Sequence, residues 1–348
     1  MTLSTTQRAS LMLATLCCAS HSAVYASFID DAKGSLELRN FYFDRDFHGD
    51  SATQSRRAEW AQGFMLKLQS GFTPGPVGFG LDAVGMLGIK LDSSPDRSGT
   101  GLLPRSSDKR AVDDYSKAVG AFKARVSETE VRVGGLSPQL PLLASNYSRL
   151  FPQWFNRAQL VSKDVARCTF TLLEVDATKL RDSTDFEDLT AMAQQGAYPA
   201  TVTSDRLYYA GVDYQPLKNL TLSMHSSQLE DLFQRNFAGF KYKTGMGPGE
   251  AFTEWRYFSA REAGRELLGK VDNRTLSTNV GYSIQGHTFS GGYQKVSGDT
   301  AYAYVGGTDT YLFSEQQVST FALANERAWM MRYDYDFAAL GVPGLTFN

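Results

Sequence analysis

The chain has 348 residues, which is enough for one large domain or two ordinary ones. Its formal net charge of −2 argues against the strongly basic surface that nucleic-acid-binding proteins present. No apolar run reaches the ~18 residues that a membrane-spanning helix needs. Glycine, tyrosine and phenylalanine are abundant, at 31, 17 and 22 residues.

Residues 1–26 have the features of a secretory signal peptide. Arg8 is a minimal basic region, Leu11–Cys18 forms a short apolar core, and Ala26 is a small residue suited to cleavage before Ser27. A buried N-terminal helix is the alternative interpretation. Cleavage would leave Cys168 as the one remaining cysteine, so we expect an exported protein without an intramolecular disulfide.

Apolar and polar residues alternate from Ser35 onward, which is typical of β-strands with one apolar and one polar face. In the clearest segment one face carries Val77, Phe79, Leu81, Ala83, Leu87, Ile89 and Leu91. These segments run for ~9–15 residues, which suits tilted transmembrane strands better than the short strands of soluble sheets. Further strands are predicted at Arg167–Val175, Arg206–Tyr214, Leu220–Gln228, Asn236–Lys243, Phe252–Ala260, Arg274–Ile284, His287–Val296 and Ala328–Phe337.

The predicted connections alternate between short and long. The long ones are Asp44–Arg57, Asp92–Asp114, Gly135–Asn156, Ala177–Asp205 and Ser297–Arg327. Short turns at one end and long loops at the other are typical of outer-membrane barrels, so we predict an all-β fold, a transmembrane antiparallel β-barrel, over residues 27–348. About 14–15 strands are present and the last one begins at Gly344–Asn348, so we expect a barrel that is incomplete at its C-terminus.

The loop 135–156 follows a short strand that contains Val131 and Val133. It is too apolar to lie in water and too rich in proline to form a helix or a central strand. Compact domains seldom keep a loop of this length without a use for it. We therefore expect this loop to fold inward.

Four stretches together resemble one family. They read SFIDDAKGSLELRNFYFDRDF, RVGGLSPQLPLLASNYSRLFPQWF, DNRTLSTNVGYSIQGHTFSGGYQKVSGD and WMMRYDYDFAALGVPGLTF. The chain is similar in these stretches to the OprD family of outer-membrane porins, also called Occ carboxylate channels. The resemblance implies a monomeric, eighteen-stranded barrel in the outer membrane of a Gram-negative bacterium, surrounded by outer-membrane lipid and lipopolysaccharide and inserted by the barrel-assembly machinery.

The resemblance also implies a function. Family members admit small carboxylate-bearing solutes by passive diffusion, among them amino acids, peptides, aromatic or aliphatic carboxylic acids and, in one branch, carbapenems. A row of basic side chains, the basic ladder, guides the carboxylate to a constriction made by inward-folded loops. In this chain the resemblance makes 135–156 the constriction loop. No cofactor and no nucleic acid are implied.

The alternation independently places five cations on the polar faces of four strands. These candidates for the pore-lining ladder are Arg39, Lys67, Lys123, Arg125 and Arg132. A passing carboxylate would accept charge-assisted hydrogen bonds from them. The alternative is that they pair with Glu37, Glu59, Asp82 and Glu130 and form a solvated wall without selectivity. Asp82 and Glu130 are also candidates for an acidic lumen site that binds a substrate's cationic group.

The polar residues of the predicted constriction loop are Ser145, Asn146, Tyr147, Ser148 and Arg149. We expect them to supply donors and acceptors at the narrowest point, although asparagine and serine could instead satisfy the backbone of a turn.

Other function classes find little support in the sequence. His48, His225 and His287 are isolated, without metal-ligand spacing, so no metal site and no catalytic residue is predicted. His225 lies near Ser223, Ser226 and Ser227 only in sequence, and a hydrolase would need a spatial triad. The alternative to a porin is a non-conducting outer-membrane barrel that acts as a ligand-binding, structural or adhesive protein.

Overall fold

The computed structural model describes residues 27–48, 54–194, 198–199, 201–316 and 319–348. The predicted signal peptide, residues 1–26, lies outside the described residues. Among these residues, strands account for most of the regular structure, beside a helical turn at residues 27–30 and the 3-10 helix Phe337–Leu340. The described part of the chain holds no helix of the length and apolarity that crossing a membrane requires.

The chain divides into two units. The first comprises Met1–Leu136, Ser148–Phe151 and Asp182–Thr184. Its described residues form five antiparallel strands, each paired with the next. They are β1 (Lys33–Asp46), β2 (Arg56–Gln69), β3 (Gly78–Asp92), β4 (Asp114–Val126) and β5 (Thr129–Leu136).

The second unit comprises Ser137–Tyr147, Pro152–Arg181 and Asp185–Asn348. Its strands, over the residues described, are β6 (Gln139–Leu140), β7 (Leu143–Ala144), β8 (Trp154–Ser162), β9 (Cys168–Lys179), β10 (Leu189–Met192), β11 (Thr203–Ser204), β12 (Leu207–Leu217), β13 (Leu220–Leu229), β14 (Phe233–Met246), β15 (Gly249–Glu262), β16 (Asp272–Ile284), β17 (His287–Ser297), β18 (Tyr304–Val305), β19 (Arg327–Asp336) and β20 (Thr346–Phe347). The 3-10 helix is Phe337–Leu340.

The long strands of the second unit form one antiparallel run in the order β8-β9-β12-β13-β14-β15-β16-β17-β19-β20. Two small sheets come from the connections: the hairpin β6-β7, and a three-stranded sheet in the order β11-β10-β18. The strands predicted between 167 and 337 are confirmed, with ends that differ by a few residues. The short strands β6, β7, β10, β11 and β18 were not predicted, because segments of two to four residues carry no readable alternation.

Exposure alternates along the strands, so each unit has two distinct sheet faces. In β3 the predicted apolar side chains are exposed, Leu81 at 56% and Leu91 at 46%, whereas Met86 on the opposite face is 3% exposed. In β4, Phe122 is exposed while Tyr115, Lys117 and Lys123 are buried. We call these the apolar face and the polar face. A contiguous exposed apolar face requires an apolar surrounding.

The loop predicted at 135–156 is shorter in the structure. Gly134 and Gly135 still belong to β5, and β8 already begins at Trp154, so the loop spans 137–153. The glycines permit a close backbone approach: a Cβ on Gly134, whose φ is +120°, would lie 2.4 Å from the carbonyl oxygen of Gly120. Gly134 therefore continues the ladder beside β4, opposite Ala121.

Candidate functional site

A four-residue ion-pair network lies on the polar face of the first unit. Asp82 on β3 binds two cations: its Oδ1 lies 2.7 Å from Lys123 Nζ and its Oδ2 lies 3.3 Å from Arg132 Nη1. Arg132 Nε also donates to Glu130 Oε1. Lys123 faces Arg132 directly across the β4–β5 ladder, which brings both ammonium and guanidinium to one carboxylate. The network balances two positive charges against two negative ones.

A cavity of about 700 Å³ opens beside this network, at the end of the unit where the short turns lie. Arg125, Lys123 and Arg132 line it together with Phe72 from the β2–β3 turn. The guanidinium carbon of Arg125 lies 4.2 Å from the centre of the Phe72 ring, and Lys123 Nζ lies 5.0 Å from that ring and donates to Ser70 O at 2.8 Å.

Arg125 differs from its two cationic neighbours. Its side chain is exposed, and no carboxylate of the described residues lies within the 4.0 Å that defines an ion pair. Stacking on an aromatic ring holds a guanidinium in place without neutralising it. Arg125 therefore keeps its charge available to an anionic ligand in the cavity.

The other two ladder candidates lie farther along the polar face. Lys67 Nζ lies 3.3 Å from Glu37 Oε2 on the neighbouring strand. Arg39 Nη1 donates to Arg149 O and its guanidinium lies 5.8 Å from the Phe41 ring. Three of the five candidates, Lys67, Lys123 and Arg132, thus pair with acids that the alternative interpretation named as a group.

Glu59, the remaining acid of that alternative, binds a different group. It is 1% exposed and accepts hydrogen bonds from the Thr100 backbone at 3.0 Å and from the Thr100 hydroxyl. Glu59 therefore orders the loop after β3 instead of neutralising a ladder cation.

The loop residues Ser148–Phe151 lie on the polar face of the first unit. Arg149 Nε donates to Thr100 O at 2.9 Å, and its guanidinium lies 4.5 Å from the Phe43 ring. Leu150 is 1% exposed and packs against Gly63 of β2. A Cβ added to Gly63 would lie 3.0 Å from the Leu150 side chain. The missing Cβ on β2 therefore makes room for the loop. Ser148 is exposed, as the prediction for a solute-contacting residue requires.

The preceding loop residues belong to the second unit. Ser145 is 1% exposed, and its hydroxyl has no hydrogen-bond partner in the described structure. Asn146 Oδ1 accepts from Arg181 Nη1 at 2.9 Å, and Tyr147 is half-buried. The backbone N–H of Asp309 donates to Ala144 O at 2.9 Å, which ties this loop to the connection between β17 and β19. Asn146 and Tyr147 are thus both better placed than the buried Ser145 to meet a solute.

Asp309 is electrostatically unusual. Burial, and then the nearby Glu315 carboxylate, raise its pKa to about 6, against the opposing effects of Arg181 and a hydrogen bond with Asn146. Asp309 therefore changes charge between mildly acidic and neutral pH.

Two arginines on the polar face of the second unit were not predicted as site residues from the sequence. The guanidinium of Arg256 lies between two rings, 3.9 Å from Tyr311 and 3.8 Å from Phe313, and 2.7 Å from Glu254. Arg235 is 2% exposed and donates to the Tyr302 hydroxyl. The sequence signal that could have identified Arg256 is its position between the aromatic residues Trp255 and Tyr257, which places it on the opposite strand face. In the structure those two aromatic side chains are 49% and 44% exposed.

His225 is part of a hydrogen-bonded cluster that does not have the order of a hydrolytic triad. Its Nδ1 lies 2.8 Å from the Tyr209 hydroxyl and its Nε2 lies 3.2 Å from Asp213 Oδ1. Ser223 shares its strand face, two residues away, but donates to Asp213 and not to the imidazole. No three His, Cys, Asp or Glu side chains of the described residues gather as metal ligands.

Comparisons with known proteins agree over nearly the whole chain. The model of the family described as outer membrane porin, OprD family, matches residues 26–348. The porin-like protein GalP of Pseudomonas putida is 36% identical over 326 residues, which are 93% of this chain and 78% of that protein.

Solved structures of similar proteins superpose on this chain over most of its length. Pseudomonas aeruginosa OccK9 (OpdG) superposes with a TM-score of 0.88 at 40% identity, over 92% of this chain and 82% of that one. Pseudomonas aeruginosa OpdK with vanillate superposes with a TM-score of 0.84 at 38% identity, over 92% and 81% of the two chains. These likenesses confirm the predicted fold class, an antiparallel transmembrane β-barrel.

Proposed function

Because the chain belongs to the OprD family of outer-membrane porins, we propose that it admits small carboxylate-bearing solutes by passive diffusion. The apolar faces of its strands meet lipid, and the polar faces line the channel. The family consists of channels and not of enzymes, and its members are outer-membrane proteins.

The observation that carries the proposal is the cavity beside Arg125. An exposed guanidinium with no carboxylate partner among the described residues binds a solute carboxylate by paired, charge-assisted hydrogen bonds. Lys123 and Arg132 beside it are neutralised by Asp82 and Glu130, so Arg125 is the cation of this group that keeps its charge for the solute. A partly screened site of this kind binds weakly enough to release its solute, which a conducting pathway requires.

The same cavity favours an aromatic carboxylate over an aliphatic one. Phe72 lines the cavity next to the cation that binds the carboxylate, so an aromatic solute gains a ring neighbour that an alkyl chain lacks. A relative has been solved with vanillate, an aromatic carboxylate. We assign the ladder roles accordingly: Arg125 binds the carboxylate, Lys123 and Arg132 shape the wall, and Arg39 and Lys67 lie farther along the polar face.

The constriction loop supplies the second contact. Ser148 is exposed on the polar face of the first unit and Arg149 is held by Thr100 and Phe43. These polar groups are fixed before a solute arrives, so they select by position and not by rearrangement.

The proposal predicts that Arg125→Gln lowers the rate of vanillate entry into proteoliposomes by about fivefold, because one charge-assisted contact in a partly hydrated site is lost. The matched control is Lys218→Gln, which removes an exposed cation from the turn between β12 and β13. Entry of an uncharged sugar through both variants should equal that of the unmodified protein. Equal vanillate entry through the Arg125 variant would show that this site does not bind the carboxylate.

Planar-bilayer recordings separate the porin from the rival interpretation, a non-conducting ligand-binding or adhesive barrel. We expect discrete single-channel steps that carry anions. A protein that inserts, shows heat-modifiable gel mobility and yet gives no steps would contradict the porin function itself.

A further inference from the structure

An apolar groove of about 810 Å³ crosses the apolar face of the second unit, over strands β9, β12, β13, β14 and β15. Two neighbouring cross-strand rows form it. The rows are Leu172, Ala210, Ser226, Asn236 and Ser259, and Phe170, Val212, Met224, Ala238 and Tyr257. The small side chains of Ala210 and Ala238 form the floor. Leu172 and Tyr257 rise at the two sides, 52% and 44% exposed.

The groove ends at a polar row on the same face. Two residues farther along each strand lie Glu174, Tyr208, Gln228, Gln234 and Arg261, paired in one line across the five strands. Two residues along a strand amount to ~7 Å. The polar row is at the end of the strands where the long connections 180–206 and 298–326 begin. In outer-membrane barrels that end faces the outside of the cell.

Arg261 is the exposed cation of this row. Its Nη2 donates to Gln234 Oε1 at 2.9 Å, and within the described part of the chain no carboxylate lies within 4.0 Å of its guanidinium. Glu174 at the other end of the row is already paired with Arg157 and Arg206, at 3.3 and 3.4 Å. The row therefore presents one uncompensated positive charge directly above an apolar groove.

We propose that this groove and Arg261 together bind one lipid of the outer leaflet, with its acyl chains in the groove and a phosphate of its headgroup on Arg261. The walls at β9 and β15 stand four strand spacings apart, ~19 Å, which leaves room for more than one chain side by side. The hydroxyl and amide groups on the floor are satisfied locally, since Ser226 Oγ donates to Asn236 Oδ1 at 2.9 Å. An acyl chain over this part of the floor therefore leaves the Ser226 hydroxyl paired.

A second copy of the chain fits the groove less well. A symmetric contact places the same surface on both partners, and a groove set against a groove encloses a void with few contacts on either side. Such a contact also places the two Arg261 guanidinium groups on one face without an anion between them. A phosphorylated amphiphile satisfies both the shape and the charge.

The experiment is a lipid titration of the detergent-solubilised full chain, read by native mass spectrometry. The probe is hexa-acylated, bis-phosphorylated lipid A, and the comparison lipid is zwitterionic phosphatidylethanolamine. The groove is filled in the double variant Ala210→Trp with Ala238→Trp, and the charge is removed in Arg261→Gln. The matched controls are Ala83→Trp on the apolar face of β3 and Arg167→Gln at the short-turn end of β9.

We expect each test variant to bind lipid A about tenfold more weakly and each control to stay within about twofold of the unmodified protein. Phosphatidylethanolamine should bind the unmodified protein about tenfold more weakly than lipid A. If the tryptophan variant does not fold, the lipid A affinities of Arg261→Lys and Arg261→Gln are compared instead. Only Arg261→Lys keeps the positive charge, so it should bind lipid A more tightly. Unchanged lipid A affinity in Arg261→Gln, or equally tight phosphatidylethanolamine, would overturn the proposal. The proposal would also be overturned if the unmodified protein formed a dimer and the double variant Ala210→Trp with Ala238→Trp dissociated it.

Discussion

At the scale of single residues, exposure divides the cations that we propose for the ladder, because Lys123 lies in a buried ion pair whereas Arg125 is exposed and has no carboxylate within 4.0 Å among the described residues. Lys123 and Asp82 are 6% and 11% exposed, whereas Lys67 and Glu37 are 40% and 38% exposed. Removing one partner of a buried pair leaves an uncompensated charge, but exposed pairs contribute little. The Lys123–Asp82 pair is therefore structural and Arg125 is the binding candidate.

Asp82→Asn should lower the free energy of unfolding by ~3 kcal/mol, because Lys123 stays buried without a carboxylate. Glu37→Gln, which removes the exposed pair with Lys67, should lower it by less than ~1 kcal/mol. Urea unfolding in lipid vesicles, followed by tryptophan fluorescence, measures both. Equal losses in the two variants would mean that burial does not decide the contribution of these pairs.

Arg132→Ala should lower vanillate entry by less than about twofold, a smaller effect than that of Arg125→Gln, because Arg132 is already neutralised by Asp82 and Glu130. Uptake into proteoliposomes checks the order of the two variants. A larger loss in Arg132→Ala would make Arg132, the cation next to the loop, the main carboxylate contact.

The sequence could predict which face each ladder cation occupies but not its partner. The period of two places Lys123 and Asp82 on the polar face. Their contact also depends on the β3–β4 register, in which Asp82 stands opposite Ala121, two residues from Lys123. Register follows from pairing along the whole strand and from turn geometry, which one segment of sequence does not contain.

At the scale of elements, close backbone packing between β4 and β5 determines where the loop 137–153 begins. Gly134→Ala should destabilise the protein by ~1–3 kcal/mol, since φ is +120° and the new Cβ would lie 2.4 Å from Gly120 O. The control is Gly85→Ala on the apolar face of β3, where no atom lies within 4 Å of the new Cβ. Thermal unfolding in detergent compares them, and equal midpoints would show that β5 adjusts freely.

The contact between two loops of the second unit should depend on pH through Asp309. Its pKa is raised from 3.8 to about 6, so the folded state holds the proton more tightly than the unfolded state. Stability from this group is therefore complete below the unfolded value and falls as the pH rises through about 6. Unfolding free energies at pH 5 and pH 7.5 should differ less in Asp309→Asn than in the unmodified protein. An identical pH slope in both would exclude this role.

At the scale of the whole molecule, alternation and the lengths of the connections were enough to predict the fold class and most strands. What they could not predict lies in the long connections, where β10, β11 and β18 have two to four residues each. Such strands exist because a distant segment supplies their hydrogen bonds: β10 pairs with β11 in its own connection and with β18 in another, where Val305 is more than a hundred residues from its partner Ala191. The same holds for Asp309, whose contact with Ala144 spans two loops.

The small sheet β11-β10-β18 has a practical consequence for labelling. Its middle strand shares hydrogen bonds with both neighbours, so an epitope tag or fluorophore inserted between Leu189 and Met192 would disturb two connections at once. The tight turn from Ser106 to Arg110 closes on itself through a backbone hydrogen bond of 2.9 Å and is exposed. A reporter group attached there would mark the protein on living cells and leave the loop sheet intact.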